Sequence, residues 1–461
     1  MNIRIRPSLA ALAVAVLLAT GTPLLAEFGY DGASVKAEEA KAKKQKTRRV
    51  PSMSETVYKK LSAGQEAIDL KDYAAALEVI NDALDRSRRY NENEIANLHN
   101  MRGYIYYLQD DYAGAIKEYK LVVQAGDKIP EGLETTTLYT VAQLSFVEQD
   151  YDDALKYMEI WISKAVNPSA APRIFLATVY YQMKEYDLAV VQMELGIQIA
   201  QERGTTITEQ NWSLMKFLYF EKEDWNNVIR VLEIMVEEFP SRNNWSQLAG
   251  VYGQEGFDEK QLYSYEAAYS SYLVEKELRP DPKNLAKHVL KQGDYTNLAG
   301  LLMQSEVPYR ASKVLFAGMA IDTVERNVKN LKSLGQAYQL SQEVDSAIEI
   351  YEEAAKLSDD GKIFERLSYL YLEDDQFARC VDAASGALDK GGLRKVQSVH
   401  VVKGMCLFNQ NKLKTARTSF SNCRRVARAE DDKSNQRICG QWITFIDRES
   451  KRQELLAAAS G

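Results

Sequence analysis

A short polar turn, closed by an aromatic residue and usually followed three positions later by a small one, recurs along this chain. That recurrence constrains the fold more than any other feature. KDYAAALEVINDAL begins at Lys71, DDYAGAIKEYKLVV at Asp110, QDYDDALKYMEIWI at Gln149, KEYDLAVVQMELGI at Lys184 and EDWNNVIRVLEIMV at Glu223. The anchors Tyr73, Tyr112, Tyr151, Tyr186 and Trp225 follow one another at steps of 39, 39, 35 and 39. Phe257, Tyr295, Val344, Phe377 and Leu413 take the same place in further copies. Each copy reads as helix, polar turn, helix. One such pair cannot bury its own apolar faces, so neighbouring copies must stack.

The spacing within the copies resembles the tetratricopeptide repeat family, whose pattern is W-x2-L-G-x2-Y followed by A-x3-F. Leu331, Leu334, Gly335, Tyr338, Ala347 and Tyr351 match it, as do Trp245, Leu248, Ala249 and Tyr252. Gly103, Tyr106, Ala115 and Tyr119 repeat the spacing, and Gly404, Ala416 and Phe420 carry it near the end. The resemblance implies an all-α solenoid, a right-handed superhelix of helix–turn–helix repeats with a C-terminal capping helix. The step of 49 from Tyr295 to Val344 is too long for one repeat. It predicts an irregular helical insertion or degenerate repeat over 306–330, between an N-terminal array (55–305) and a C-terminal array (331–430). Residues 431–461 then form the cap, with Arg448, Glu449, Lys451, Arg452 and Glu454 turned to water.

The first residues carry a targeting signal. Arg4 and Arg6 precede the apolar run Leu9–Ala19, and GTPLLAE offers a cut after Ala26. That is the layout of a signal peptide over 1–26, too short to span a bilayer. It predicts a periplasmic protein. In an oxidising compartment the even cysteine count favours disulfides. Cys380 and Cys406 flank the loop at Gly391–Gly392 at comparable distances, and Cys423 and Cys439 do so around Glu430–Asp432. In antiparallel helix pairs such residues lie side by side, so the expected bridges are Cys380–Cys406 and Cys423–Cys439.

Signatures of catalysis are absent from the sequence: no Gly-rich phosphate loop, G-x-S-x-G, H-E-x-x-H or C-x-x-C occurs. Three histidines in 461 residues leave little for general-base or metal chemistry, and His99 and His400 fall where the repeat pattern places a packing residue. The reading is a non-enzyme with no cofactor and no metal. Protein binding remains. Tyr106–Tyr107, Tyr180–Tyr181 and Tyr219–Phe220 are adjacent aromatics, and consecutive helical residues point about 100° apart, so both cannot fill one seam. Their neighbours are expected to line a concave groove: Tyr104, Tyr107, Tyr139, Phe146, Thr178, Tyr181, Phe217 and Phe220.

The chain is acidic, with net charge −7, yet Lys41–Lys60 holds eight Lys and Arg against one Glu. Residues 27–54 read as a basic, flexible arm, with Lys43, Lys44, Lys46, Arg48 and Arg49 available to a membrane face, cell wall or acidic partner rather than nucleic acid. KTRRVP, then M-x3-VYKKLS, then a K-D-Y-x3-L repeat resembles the periplasmic repeat proteins that accompany TonB–ExbB–ExbD energy-transducing complexes in vibrios and related marine bacteria. The resemblance implies an accessory role in TonB-dependent uptake of siderophores and haem, with TonB, ExbB or ExbD components among its partners. The alternative is an envelope scaffold for cell-wall or outer-membrane assembly beside a Tol–Pal-like system.

Overall fold

A computed structural model of the chain describes residues 48–358 and 360–460; the expected signal peptide, most of the arm, and Lys43, Lys44 and Lys46 lie outside them. Among the described residues there are twenty-two α-helices and no strand, as an all-α repeat solenoid requires. The chain divides into two compact units after Asp224. The first holds α1 (Glu55–Asp69), α2 (Tyr73–Asp85), α3 (Glu92–Leu108), α4 (Tyr112–Gln124), α5 (Glu131–Val147), α6 (Tyr151–Lys164), α7 (Ala171–Gln182), α8 (Tyr186–Glu202) and α9 (Glu209–Glu221). The second starts with α10 (Trp225–Glu238), α11 (Arg242–Gln254), α12 (Asp258–Leu278) and the one-turn α13 (Pro282–Leu285). It continues with α14 (Gln292–Gln304), α15 (Pro308–Ala320), α16 (Val328–Leu340), α17 (Val344–Lys356), α18 (Gly361–Glu373) and α19 (Phe377–Lys390). It closes with α20 (Val396–Asn409), α21 (Leu413–Ala429) and α22 (Lys433–Ser460).

One turn is used throughout. In the first hairpin Lys71 takes a left-handed conformation (φ 61°), its amide donates to the Ile68 carbonyl, and the Asp72 amide donates to the Ala67 carbonyl at 2.9 Å. This pair of bonds satisfies carbonyls that the end of α1 would otherwise leave open. The bond from the amide after the left-handed residue recurs as Asp111 to Tyr106, Glu185 to Tyr180, Val307 to Leu302 and Gln376 to Tyr371, at 2.8–3.0 Å. Asp72, Asp111 and Asp150 then cap the second helix by accepting from the amides of Ala75, Gly114 and Asp153.

Within a hairpin the first helix offers a glycine to a ring of the second. A Cβ at Gly103 would stand 2.9 Å from Tyr119, one at Gly335 2.8 Å from Tyr351, and one at Gly404 2.7 Å from Phe420. These are distances that only a missing side chain permits. In α14/α15 the partners are exchanged: the ring is Tyr295 on the first helix, and the glycine beneath it is Gly318 on the second. Tyr295 is therefore a buried residue of α14, not a turn anchor, and the hairpin turns at Glu306 (φ 61°). The helix expected within 306–330 is Pro308–Ala320, and it is the second member of the α14/α15 hairpin. The extra length sits upstream, in the 21-residue α12, in α13 and in the connection to α14. The division between units likewise falls at 224/225 and not within 306–330.

Cys380 is bonded to Cys406 and Cys423 to Cys439, as the loop positions predict, with Cα–Cα separations of 6.2 Å in both pairs. The cap α22 buries Ile446 and stacks Trp442 on Phe420 at 5.0 Å, while Arg448, Lys451, Arg452 and Glu454 are exposed.

Candidate protein-interaction site

The first helices of the third and fourth hairpins and the helix α9 that follows them bring apolar side chains to a common cavity of about 850 Å³ in the first unit. On α7, Ile174, Thr178 and Tyr181 share one face, because positions 4 and 3 apart are neighbours on a helix. Gln210, Leu214 and Phe217 do the same on α9, and Phe146 reaches in from the end of α5. The connections Ser169–Ala171 and Thr205–Ile207 complete the wall. Edge-to-face ring contacts build the floor, with Phe146 5.6 Å from Phe175 and Tyr181 5.4 Å from Phe217. Such pairs add to what burial alone contributes.

The mouth is held by side chain to backbone bonds. Gly204, left-handed at φ 62°, ends α8, and the Thr205 amide returns to the Ala200 carbonyl at 2.9 Å. Arg203 then reaches across to the α6–α7 connection, donating to the Asn167 carbonyl (2.8 Å), its Oδ1 (2.6 Å) and the Pro168 carbonyl (2.9 Å). Two otherwise free connections thereby become one rim. Two charged residues line the cavity, Glu209 and Lys216. Burial pushes the Lys216 ammonium below its ordinary pKa, and the Glu209 charge opposes that shift. Burial raises the Tyr181 hydroxyl, so it stays protonated and able to donate at neutral pH.

Of the eight expected groove residues, Phe146, Thr178, Tyr181 and Phe217 line this cavity. Phe146 is also a core residue, packed with Ala154 and Val179, and the Thr178 hydroxyl donates within its own helix to the Ile174 carbonyl. Phe220 stands 51% exposed beside Phe217. The other three lie apart from the cavity. Tyr139 packs on Trp161 and Phe175, and Tyr104 stacks on Tyr107, whose ring also meets Tyr112. Ile174, Phe175, Leu214 and Lys216 lay outside the expectation, though the same helical spacing marks them. Ile207 comes from a connection, where no periodicity points.

Of the arm expected to be flexible over 27–54, residues 48–54 are described, and these are held by hydrogen bonds to α3 and α5. Arg48 Nη1 donates to Glu134 Oε2 at 2.6 Å and to the Gly126 carbonyl. Lys164 meets the other oxygen of Glu134 at 3.1 Å. Asn93 and Asn91 hold the carbonyls of Pro51 and Ser52, and the Ser54 amide donates to Glu94 Oε1 at 2.7 Å. A carboxylate as buried as Glu134, 4% exposed, needs cations, and the arm supplies one. Arg49 alone of the named arm residues in view is exposed. His99 is largely buried, with Nδ1 2.7 Å from Glu118 Oε2, beside Arg102. Among the described residues no group of three His, Cys, Asp or Glu is placed to hold a metal ion.

Tetratricopeptide repeat models match residues 61–128 and 333–360, that is, the first two hairpins and the α16/α17 pair. No curated protein matches the chain in sequence. Similar solved structures include a tetratricopeptide repeat protein from Parabacteroides merdae, 13% identical, covering 62% of this chain and 99% of its own, with a TM-score of 0.34. Naa15/Naa10 bound to HypK-THB aligns over 87% of this chain and 67% of that one at 14% identity and TM-score 0.40. YrrB, described as a repeat protein with an unusual peptide-binding site, covers 44% of this chain and 94% of its own at 12% identity and TM-score 0.32.

Proposed function

We propose that this chain, which carries tetratricopeptide repeats, is a non-catalytic scaffold that captures a segment of a partner protein in the aromatic cavity of its first unit. The observation that carries the reading is the convergence of Phe146, Phe175, Tyr181 and Phe217 on one cavity of about 850 Å³ whose rim is fixed by Arg203. A preformed, mostly apolar site with a few placed polar groups suits an extended or helical segment carrying one or two large apolar side chains.

The wider setting we propose is the periplasm, beside a TonB–ExbB–ExbD complex, where the protein serves as an accessory component in TonB-dependent siderophore and haem uptake. The basic and apolar start of the chain and the KTRRVP…VYKKLS arm support this reading. Deleting the protein is expected to abolish iron-limited growth on siderophores and haem and to leave growth on free iron salts unchanged. Crosslinking and capture from envelope extracts is expected to recover ExbB, ExbD or TonB, with Phe217→Ala accelerating release by ten-fold or more. Intact uptake in the deletion strain overturns the TonB role, and recovery of Tol–Pal or cell-wall components points to envelope assembly instead. Capture undisturbed by Phe217→Ala overturns the cavity.

A further inference from the structure

The docked stretch 48–54 has a direction. Ser54 and Pro51 are held at the start of α3, in the second hairpin, whereas Arg48 is held at α5, in the third. Read toward the N-terminus, the segment climbs the edge formed by the connections between hairpins, advancing one hairpin in six residues. Arg48 and Lys164 share the Glu134 carboxylate, so the chain arrives beside the last residue of α6. Five residues further along that same connection lies Ser169, where the wall of the aromatic cavity begins.

The chain that remains upstream suits the cavity it approaches. Twenty-one residues lie between Glu27 and Thr47 inclusive. Extended, they reach about 70 Å, whereas the four helix steps from α5 to α9 cover at most about 40 Å. At the far end stands Glu27-Phe28-Gly29-Tyr30-Asp31, two rings separated by a glycine and flanked by carboxylates. The cavity offers rings to the first. From length, direction and chemistry we infer that residues 27–31 of this chain occupy the aromatic cavity and compete with the external partner for it. This rests on the reading of the cavity as a peptide site. A tethered occupant acts at millimolar effective concentration, so a weak intrinsic fit suffices to hold it and a good partner displaces it.

Two measurements on the full chain test this. With p-benzoylphenylalanine in place of Phe28, irradiation is expected to crosslink residues 169–182 or 205–217; crosslinks confined to other segments overturn the inference. A fluorescent peptide of residues 27–47 is expected to bind the Phe28→Ala/Tyr30→Ala chain at least ten-fold more tightly than the unsubstituted chain, by anisotropy. Equal binding to both, or binding to neither, also overturns it. The partner-capture reading is separable: if capture needs Phe217 yet is unchanged by Phe28→Ala/Tyr30→Ala, the cavity stands as a partner site and self-occupation falls.

Discussion

The first unit is closed at its N-terminal end by a strap of hydrogen bonds and ion pairs, and the second is closed at its C-terminal end by two disulfides. Their interiors differ in the same sense. In the second, one long buried cluster runs from Ala249 on α11 to Cys406 on α20, and two small ones, around Ala384 and Phe420, follow at the C-terminal end. In the first, separate clusters gather around Ile80, Tyr119, Met158 and Phe146. Beside those clusters lies the cavity lined by Phe146, Phe175, Tyr181 and Phe217. The unit divided among small clusters carries the candidate site, and the unit with the long cluster carries the covalent staples. Rings that support a cavity cannot also fill it.

The largest test of this contrast is reduction. Opening the loops closed by Cys380–Cys406 and Cys423–Cys439 is expected to lower the stability of the second unit by about 3 kcal/mol per bridge. Urea unfolding with and without reductant, followed by hydrogen exchange, should show the first unit's transition unmoved; one transition shifting as a whole would erase the distinction. Arg48→Ala should destabilise the first unit by about 1–2 kcal/mol, because Glu134 loses a charge-assisted hydrogen bond in a buried setting. A second unit equally weakened by that change would break the comparison from the other side.

Acid should also separate the units. Asp432, at the turn into α22, is held down to about 2 by the Asn435 amide and by the side chains of Gln397 and Asn435. A depressed carboxylate contributes stability that is complete above its unfolded pKa of about 4 and disappears as pH falls through the folded value. Asp432→Asn is therefore expected to flatten the acid limb of the second unit's stability between about pH 4 and pH 2, and an unchanged limb would show that the cap is not anchored there. The smallest effect belongs to Phe220. Half exposed, it should change stability by under about 0.5 kcal/mol when replaced by Ala, and thermal unfolding of the variant checks that figure.

Sequence reading succeeded where a local rule operates. Tyr73, Tyr112, Tyr151 and Tyr186 each begin the second helix of a hairpin, Trp225 begins α10, and the cysteine pairs followed from symmetry about a loop. It failed where two residues exchange roles while the chemistry stays the same. Tyr295 follows Gly293-Asp294, which reads like a turn, but Asp294 accepts the Lys291 amide at 2.7 Å and starts α14 instead. The site was half legible for a similar reason. Helical spacing marks Tyr181 and Phe217, whereas Ile207 and the rim bonds of Arg203 depend on connections that follow no period. Nothing in the arm's composition marks Glu134, 86 residues from Arg48, as its partner.

That separation has a consequence for the order of events in folding. Contacts in a hairpin array are short-range, so each hairpin can close soon after it is synthesised. The strap is an exception, since Ser54 waits for Glu94 and Arg48 for Gly126 and Glu134. While the chain emerges N-terminus first, residues 51–54 have no partners until the second hairpin begins, and Arg48 has none until the third has begun to appear. During that interval Arg48 is free to meet whatever else is near. Completion of the first three hairpins is thus a closure reaction spanning 86 residues, the slowest kind of contact in an otherwise local fold.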